Sequence, residues 1–212
     1  MSTVQCYQYA LGPMDNLCYL LESKGEIWSV DPAWDPSFLS QEIESLGGTL
    51  KGILLTHGHH DHTNGVLAIQ ETFSVPVYVS NQELPQLLEA LSLNRYYFES
   101  SDPLTVGDHT IEVIATPGHS PGCVCFRIGR ILLSGDTLFI DGCGRADLTG
   151  SDPEALYEAL ETLKQLPDEI VVYPGHDYGP SQTDTMGHQK QTNPYLTAES
   201  KKIFLRKRMG FT

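Results

Sequence analysis

Short apolar runs separated by turn residues recur along most of this 212-residue chain. Runs rich in Val, Ile, Leu and Tyr predict strands at 4–9, 18–21, 27–30, 53–55, 77–79, 110–114, 124–128, 131–133 and 170–173. Apolar positions three and four apart predict helices at 37–45, 64–72, 82–91, 153–163 and about 198–209. Ser151-Asp152-Pro153-Glu154 marks a helix start, with a capping residue, a Pro in the first turn and an acid against the positive helix end. Strands and helices do not alternate strictly, so one doubly wound parallel sheet fits poorly. Two mixed sheets packed face to face with helices outside, an α/β (α+β) four-layer sandwich, fit better. No repeat, linker or low-complexity stretch interrupts the pattern, and a single domain over 1–212 is expected.

Charge narrows the partners. Lys and Arg number 13 against 27 Asp and Glu, a formal net charge of −14. Polyanions and anionic lipid surfaces attract basic proteins, so nucleic acid and membrane are disfavoured as partners. Lys201, Lys202, Arg206, Lys207 and Arg208 all fall in the last twelve positions, which leaves the rest of the chain more acidic still. No basic start followed by an apolar run opens the sequence, and no apolar stretch approaches the ~20 residues that span a bilayer. A cytoplasmic location is the expectation. The five Cys are odd in number and irregularly spaced, unlike a disulfide framework.

The eight His change the picture most. Four lie in Thr56-His57-Gly58-His59-His60-Asp61-His62, directly after the apolar run 53–55. Imidazole nitrogens and carboxylate oxygens suit a borderline divalent ion. A helix would turn alternate residues to opposite faces, so this tract is expected to curl as a loop. Thr63-Asn64-Gly65 then caps a following helix, and His60 is read as a surface residue turned away. Three further apolar runs end in the same way: 111–114 runs into Thr116-Pro117-Gly118-His119, 131–133 into Gly135-Asp136, and 170–173 into Pro174-Gly175-His176. Four strand ends would thus deliver His57, His59, Asp61, His62, His119, Asp136 and His176 to one rim. Seven ligands suffice for two metals sharing one carboxylate.

This series resembles the metal-site series of the metallo-β-lactamase superfamily, over almost the whole chain as far as Asn193-Pro194-Tyr195-Leu196. The resemblance implies the αββα sandwich with its site at one edge of the two sheets. It implies a first metal on His57, His59 and His119, a second on Asp61, His62 and His176, and Asp136 as the bridge. Gly142-Cys143-Gly144-Arg145-Ala146-Asp147 resembles a segment shared by glyoxalase II-like thioester hydrolases and glutathione persulfide dioxygenases. Tyr173-Pro174-Gly175-His176-Asp177-Tyr178-Gly179, followed by Thr192-Asn193-Pro194, is closer to the dioxygenases.

Two enzymatic readings follow from the resemblance. In the first, two divalent ions, zinc foremost with iron or manganese as alternatives, hold a bridging hydroxide. Asp61 orients the hydroxide, which attacks a small thioester such as an acylglutathione, and the departing thiolate needs no strong acid. In the second, His57, His119 and Asp136 hold a single Fe(II) at which O₂ oxidises glutathione persulfide to sulfite and thiol, and the other ligand-like residues become outer polar groups. Both take a small anionic thiol-derived substrate. Arg145, Tyr178 and Cys143 are its candidate contacts, with the basic tail as a further source of positive charge. A non-catalytic metal-binding module is the weaker third reading, because a purely structural four-coordinate site would close every position. Either a monomer or a homodimer accommodates these readings.

Overall fold

In the computed structural model, which describes residues 3–89, 91, 95–98 and 103–210, the first half of the chain builds a six-stranded sheet in sequence order. Strands β1 (Gln5–Leu11), β2 (Asn16–Ser23) and β3 (Glu26–Val30) are antiparallel neighbours. Strands β4 (Thr49–Leu54), β5 (Val77–Val79) and β6 (Arg95–Tyr97) continue from β3 in parallel. The connections carry α1 (Pro36–Ser45), α2 (His60–Thr63), α3 (Val66–Phe73) and α4 (Pro85–Glu89). A ribbon of β7 (Thr105–Val106) and β8 (His109–Thr110) leads into the second half.

There β9 (Glu112–Ala115), β10 (Val124–Ile128) and β11 (Ile131–Gly135) form an antiparallel meander. A second ribbon, β12 (Leu138–Phe139) and β13 (Gly142–Cys143), and helix α5 (Pro153–Leu163) precede β14 (Val171–Pro174), which pairs parallel to β11. Strand β15 (Asp184–Thr185) completes this five-stranded sheet, and α6 (Met186–Thr192) and α7 (Lys201–Met209) follow.

Side chains alternate across a strand, so each sheet has two faces to cover. Leu17, Tyr19, Leu21, Trp28, Val30 and Leu54 of the first sheet meet Val124, Phe126, Ile128 and Leu133 of the second in one buried cluster. The alternate residues Cys18, Leu20, Ile27 and Ile53 pack outward against Leu39 and Ile43 of α1 and Val66 and Ile69 of α3. On the far side Cys125, Leu132 and Val172 pack against Leu156, Leu160 and Leu163 of α5 and Phe204 of α7. The layers therefore run helix, sheet, sheet, helix, as the resemblance implied.

Several boundaries differ from the sequence pattern, each for a local reason. The tract after His57 is a loop only as far as His59. His62 N–H then bonds His59 O at 3.0 Å and Asn64 N–H bonds His60 O at 2.9 Å, making the one-turn α2. The strand expected over 110–114 breaks at Ile111, whose N–H turns to Leu104 O across the ribbon. Asn64 does not cap α3: its Oδ1 accepts from Trp34 N–H at 2.6 Å, and Gly65 opens the helix without a side-chain bond. Helix α4 starts only at Pro85, a residue suited to a first helical turn, and part of the expected 82–91 span lies outside the described residues. The start at Asp152 holds: its carboxylate accepts from Glu154 N–H at 2.9 Å and Ala155 N–H at 3.1 Å. Among the described residues no helix is long and apolar enough to cross a membrane.

Phe126 is fully buried between the sheets, its ring edge-on to Phe98 at 5.4 Å. Phe126→Ala is expected to lower unfolding free energy by about 3–5 kcal/mol, read from urea denaturation.

Candidate metal centre

Four strand ends meet at one edge of the seam between the sheets. The C-terminal end of β4 leads to His57, β9 to His119, β11 to Asp136 and β14 to His176. Helix α2 adds Asp61 and His62. Because successive helical residues point about 100° apart, its turn sends His62 inward and leaves His60 exposed. His57, His62, His119, Asp136 and His176 are buried.

The candidate ligand atoms fall into two separate groups, and a third close set, Asp31 with His57 and His62, spans them. Those of His57, His59 and His119 lie within 4.8 Å of one another, and so do those of Asp61, His62 and His176. In the first group His59 Nδ1 and His119 Nε2 are 2.8 Å apart. In the second, His62 Nε2 is 3.2 Å from His176 Nε2, and Asp61 Oδ2 stands 3.4 Å from His176 Nε2. The Asp136 carboxylate lies between them, with Oδ1 3.3 Å from His62 Nε2 and Oδ2 3.4 Å from the Nε2 atoms of both His119 and His176.

An outer layer orients the rings. His119 Nδ1 donates to Arg145 O at 2.9 Å and His176 Nδ1 to Met14 O at 2.7 Å. His62 Nδ1 donates to Asp31 Oδ2 at 3.1 Å, and the same carboxylate accepts from Thr56 N–H at 2.8 Å and Thr56 Oγ1 at 2.6 Å. With Nδ1 spent as a donor, Nε2 of a neutral ring presents its lone pair to the centre. Asn16 Nδ2 donates to Asp61 Oδ2 at 3.1 Å and to Asp61 O at 3.0 Å, while Trp34 Nε1 holds Asn16 Oδ1 at 2.7 Å.

Electrostatics set the protonation. Burial, then the neighbouring His62, holds His57 well below the usual imidazole range. Burial and His119 lower His59 as well. Burial opposes charge on Asp136, but the positive charge of His62 and the nearby His176 imidazole win, and its carboxyl stays well below the usual range. Burial likewise opposes protonation of His62 and His176, yet Asp136 outweighs it and raises both. Protons and cations compete for these same lone pairs.

The donor set fits divalent metal. His57 Nε2 and Asp136 Oδ1 are buried without a hydrogen-bond partner, and a buried polar atom left so carries a cost that an ion would remove. Both aim into a cluster of imidazole and carboxylate groups of the kind that binds zinc.

A cavity of about 350 Å³ opens onto the cluster, walled by Met14, Phe139, Leu148, Arg145 and Tyr178. Tyr178 stacks on His176, with ring centroids 4.7 Å apart and planes 9° from parallel. Asn193 Nδ2 holds the ribbon carrying Phe139 by bonds to Phe139 O and Gly142 O. Arg145 is exposed on this wall and also forms a fork with Asp147, at 2.9 and 3.1 Å. Cys143 is located elsewhere, buried in the core cluster beside Leu156 and Phe204, where burial pushes its thiol up to about 12. His60, read from sequence as turned away, lines the cavity rim. The basic tail is partly spent within the chain. Arg208 Nε donates to Gly144 O at 2.7 Å, Lys207 Nζ to Pro194 O at 2.9 Å, and Lys201 pairs with Glu154 and Glu158.

The family model of the metallo-β-lactamase superfamily matches residues 11–176. The chain belongs to that superfamily. It is 30% identical over 195 residues to the probable polyketide biosynthesis zinc-dependent hydrolase PksB of Bacillus subtilis, covering 90% of this chain and 86% of that protein. It is 31% identical over 189 residues to the hydroxyacylglutathione hydrolase GloC of Haemophilus influenzae, covering 81% and 87%. The crystal structure of ETHE1 from Myxococcus xanthus superimposes with a TM-score of 0.84 at 26% identity, covering 98% of this chain and 92% of that one.

Sequence reasoning missed Asp31, Asn16 and the cavity's apolar wall. Asp31 had a signal, since it follows the apolar strand β3 as Asp136 follows β11. Asn16 and Phe139 had none, because only folding brings them beside Asp61 and His176. The backbone also approaches closely at Gly175, where a Cβ would lie 2.3 Å from Asp136 Oδ1 and 3.0 Å from His62 Cε1. Gly175→Ala should therefore cut zinc uptake, measured by elemental analysis, while leaving the far-ultraviolet circular dichroism unchanged.

Proposed function

We propose that this protein is a metal-dependent hydrolase of small thioesters such as an acylglutathione, with His57, His59 and His119 holding one divalent ion, Asp61, His62 and His176 a second, and Asp136 bridging. The observation that carries this is the Asp136 carboxylate, whose two oxygens reach ligand nitrogens of both groups at 3.3–3.4 Å. Bound divalent ions supply Lewis acidity that acidifies water and polarises a carbonyl. The donor set favours zinc, with iron or manganese as alternatives, and the similarity to a zinc-dependent hydrolase supports it.

The chain's own residues do the rest. Asp61, steadied on Oδ2 by Asn16, would orient the attacking water by accepting a hydrogen bond from it. Met14, Phe139 and Leu148 shelter the acyl chain and sulfur from solvent. Arg145 offers a guanidinium to a substrate carboxylate, in exchange for its exposed pairing with Asp147. Tyr178, stacked on His176 and 54% exposed, offers a ring face and a hydroxyl at the mouth. A thiolate departs without protonation by a strong acid.

A second reading draws on the subset His57, His119 and Asp136: two imidazoles and one carboxylate, with His119 Nε2 and Asp136 Oδ2 3.4 Å apart. Two His and a carboxylate on one face suit a single non-haem Fe(II) and hence persulfide oxidation.

Elemental analysis of protein purified without oxygen separates the two. About two zinc, manganese or mixed ions per chain, with hydrolysis of a lactoylglutathione-type thioester, supports the hydrolase. About one iron per chain, with oxygen uptake on glutathione persulfide, overturns it. Asp136→Ala is expected to abolish metal retention and hydrolysis together, and retained turnover would remove the bridging role.

A further inference from the structure

Glu83 is a buried carboxylate, 3% exposed, on the turn that precedes α4. A buried charge is costly unless it is paired and fully hydrogen-bonded. Among the described residues no Lys, Arg or His forms an ion pair with it, and its bonding partners are neutral donors. Oε2 accepts from Gly58 N–H at 3.0 Å and from Ser120 Oγ at 2.6 Å, and Oε1 accepts from Leu84 N–H at 2.8 Å.

The position of two of those donors is informative. Gly58 lies between His57 and His59, and Ser120 follows His119. One carboxylate oxygen thus ties together the two loops that carry the whole three-histidine group. Gly122 lies so close that a Cβ there would stand 2.7 Å from Glu83 Cα, so the loop after His119 rests directly on this residue. Asp31 plays a similar part from the opposite side, bonding His62 and the N–H and hydroxyl of Thr56, and that hydroxyl stands 3.0 Å from His57 Nδ1. Asp31 thus reaches both halves, whereas the bonds of Glu83 to Gly58 and Ser120 fall on the loops of the three-histidine group. The three-histidine group contains no anion except the shared Asp136, so a second nearby negative charge has most to offset there.

We infer that Glu83 is a positioning residue for the three-histidine half, holding the His57–His59 and His119 loops in register and supplying negative charge to the cation bound between them. This rests on the assignment of that group as a metal site. It acts through the backbone of Gly58 and the hydroxyl of Ser120, not by touching the ion.

Zinc titration of the metal-free protein against a chromophoric chelator tests it. The His176→Ala background isolates the three-histidine half, and the His59→Ala background isolates the other. Glu83→Gln keeps the shape and removes the charge. It is expected to weaken zinc binding by about 10–100-fold in the first background, the range for losing an outer-layer partner, and to leave the second unchanged. Equal weakening in both backgrounds would mark general loosening of the fold, and no weakening in the first would mark a bystander. Either result overturns the inference. Ser120→Ala keeps the charge and removes the 2.6 Å bond, so it should give a smaller loss confined to the same half. If Glu83→Gln does not fold by circular dichroism, that variant decides, and an unchanged affinity overturns the inference. Failure of the unmodified chain to take up zinc would instead overturn the metal assignment itself.

Discussion

A carboxylate buried to 7% exposure, Asp136, stands among three imidazoles at 3.3–3.4 Å, and the architecture around it can be understood as the means of keeping it there. Such a charge is tolerable only with matching positive charge and fixed donors. The rings that surround it come from α2 and from the ends of β9 and β14, and Asp136 itself from the end of β11, so no local segment could assemble the cluster. The seam between two sheets can. Rigid strands fix where each loop begins, and the loops need to travel only a few residues to converge.

A second layer explains why the clustered side chains hold their orientation. Arg145 O, Met14 O and Asp31 each occupy the Nδ1 of one imidazole and turn its Nε2 inward. Asn16, itself held by Trp34, restrains Asp61. These contacts couple the site to parts of the chain distant in sequence: the turn before β2, the end of β3 and the segment after β13. The C-terminal helices join the same framework through Asn193 on the Phe139 ribbon and Arg208 on Gly144 O.

The net charge of −14 takes a different meaning at this edge. It describes a surface that repels polyanions, yet Arg145 faces the cavity and Arg208 lies behind its wall. A small anion approaching the centre meets local positive charge that the total conceals.

The sequence by itself determined the strands with clear alternation, the helix start at Asp152, and the seven ligand-type residues at the ends of apolar runs. These were readable because side-chain period and turn chemistry are local properties of the chain. It did not reveal β12, β13 or β15, whose two residues each are too short to show a period, nor α6, whose sequence Met186-Gly187-His188-Gln189-Lys190-Gln191-Thr192 lacks an apolar stripe. It left Cys143 open as a substrate contact, because a small residue between glycines carries no local sign of burial. Tertiary structure alone decided which carbonyl orients which ring, that Asn16 restrains Asp61, and that Glu83 lies under two ligand loops. Those relations join residues up to 162 positions apart, as in the bond from His176 to Met14. Spacing along a chain cannot encode them, because they arise only when the sheets close over a common core.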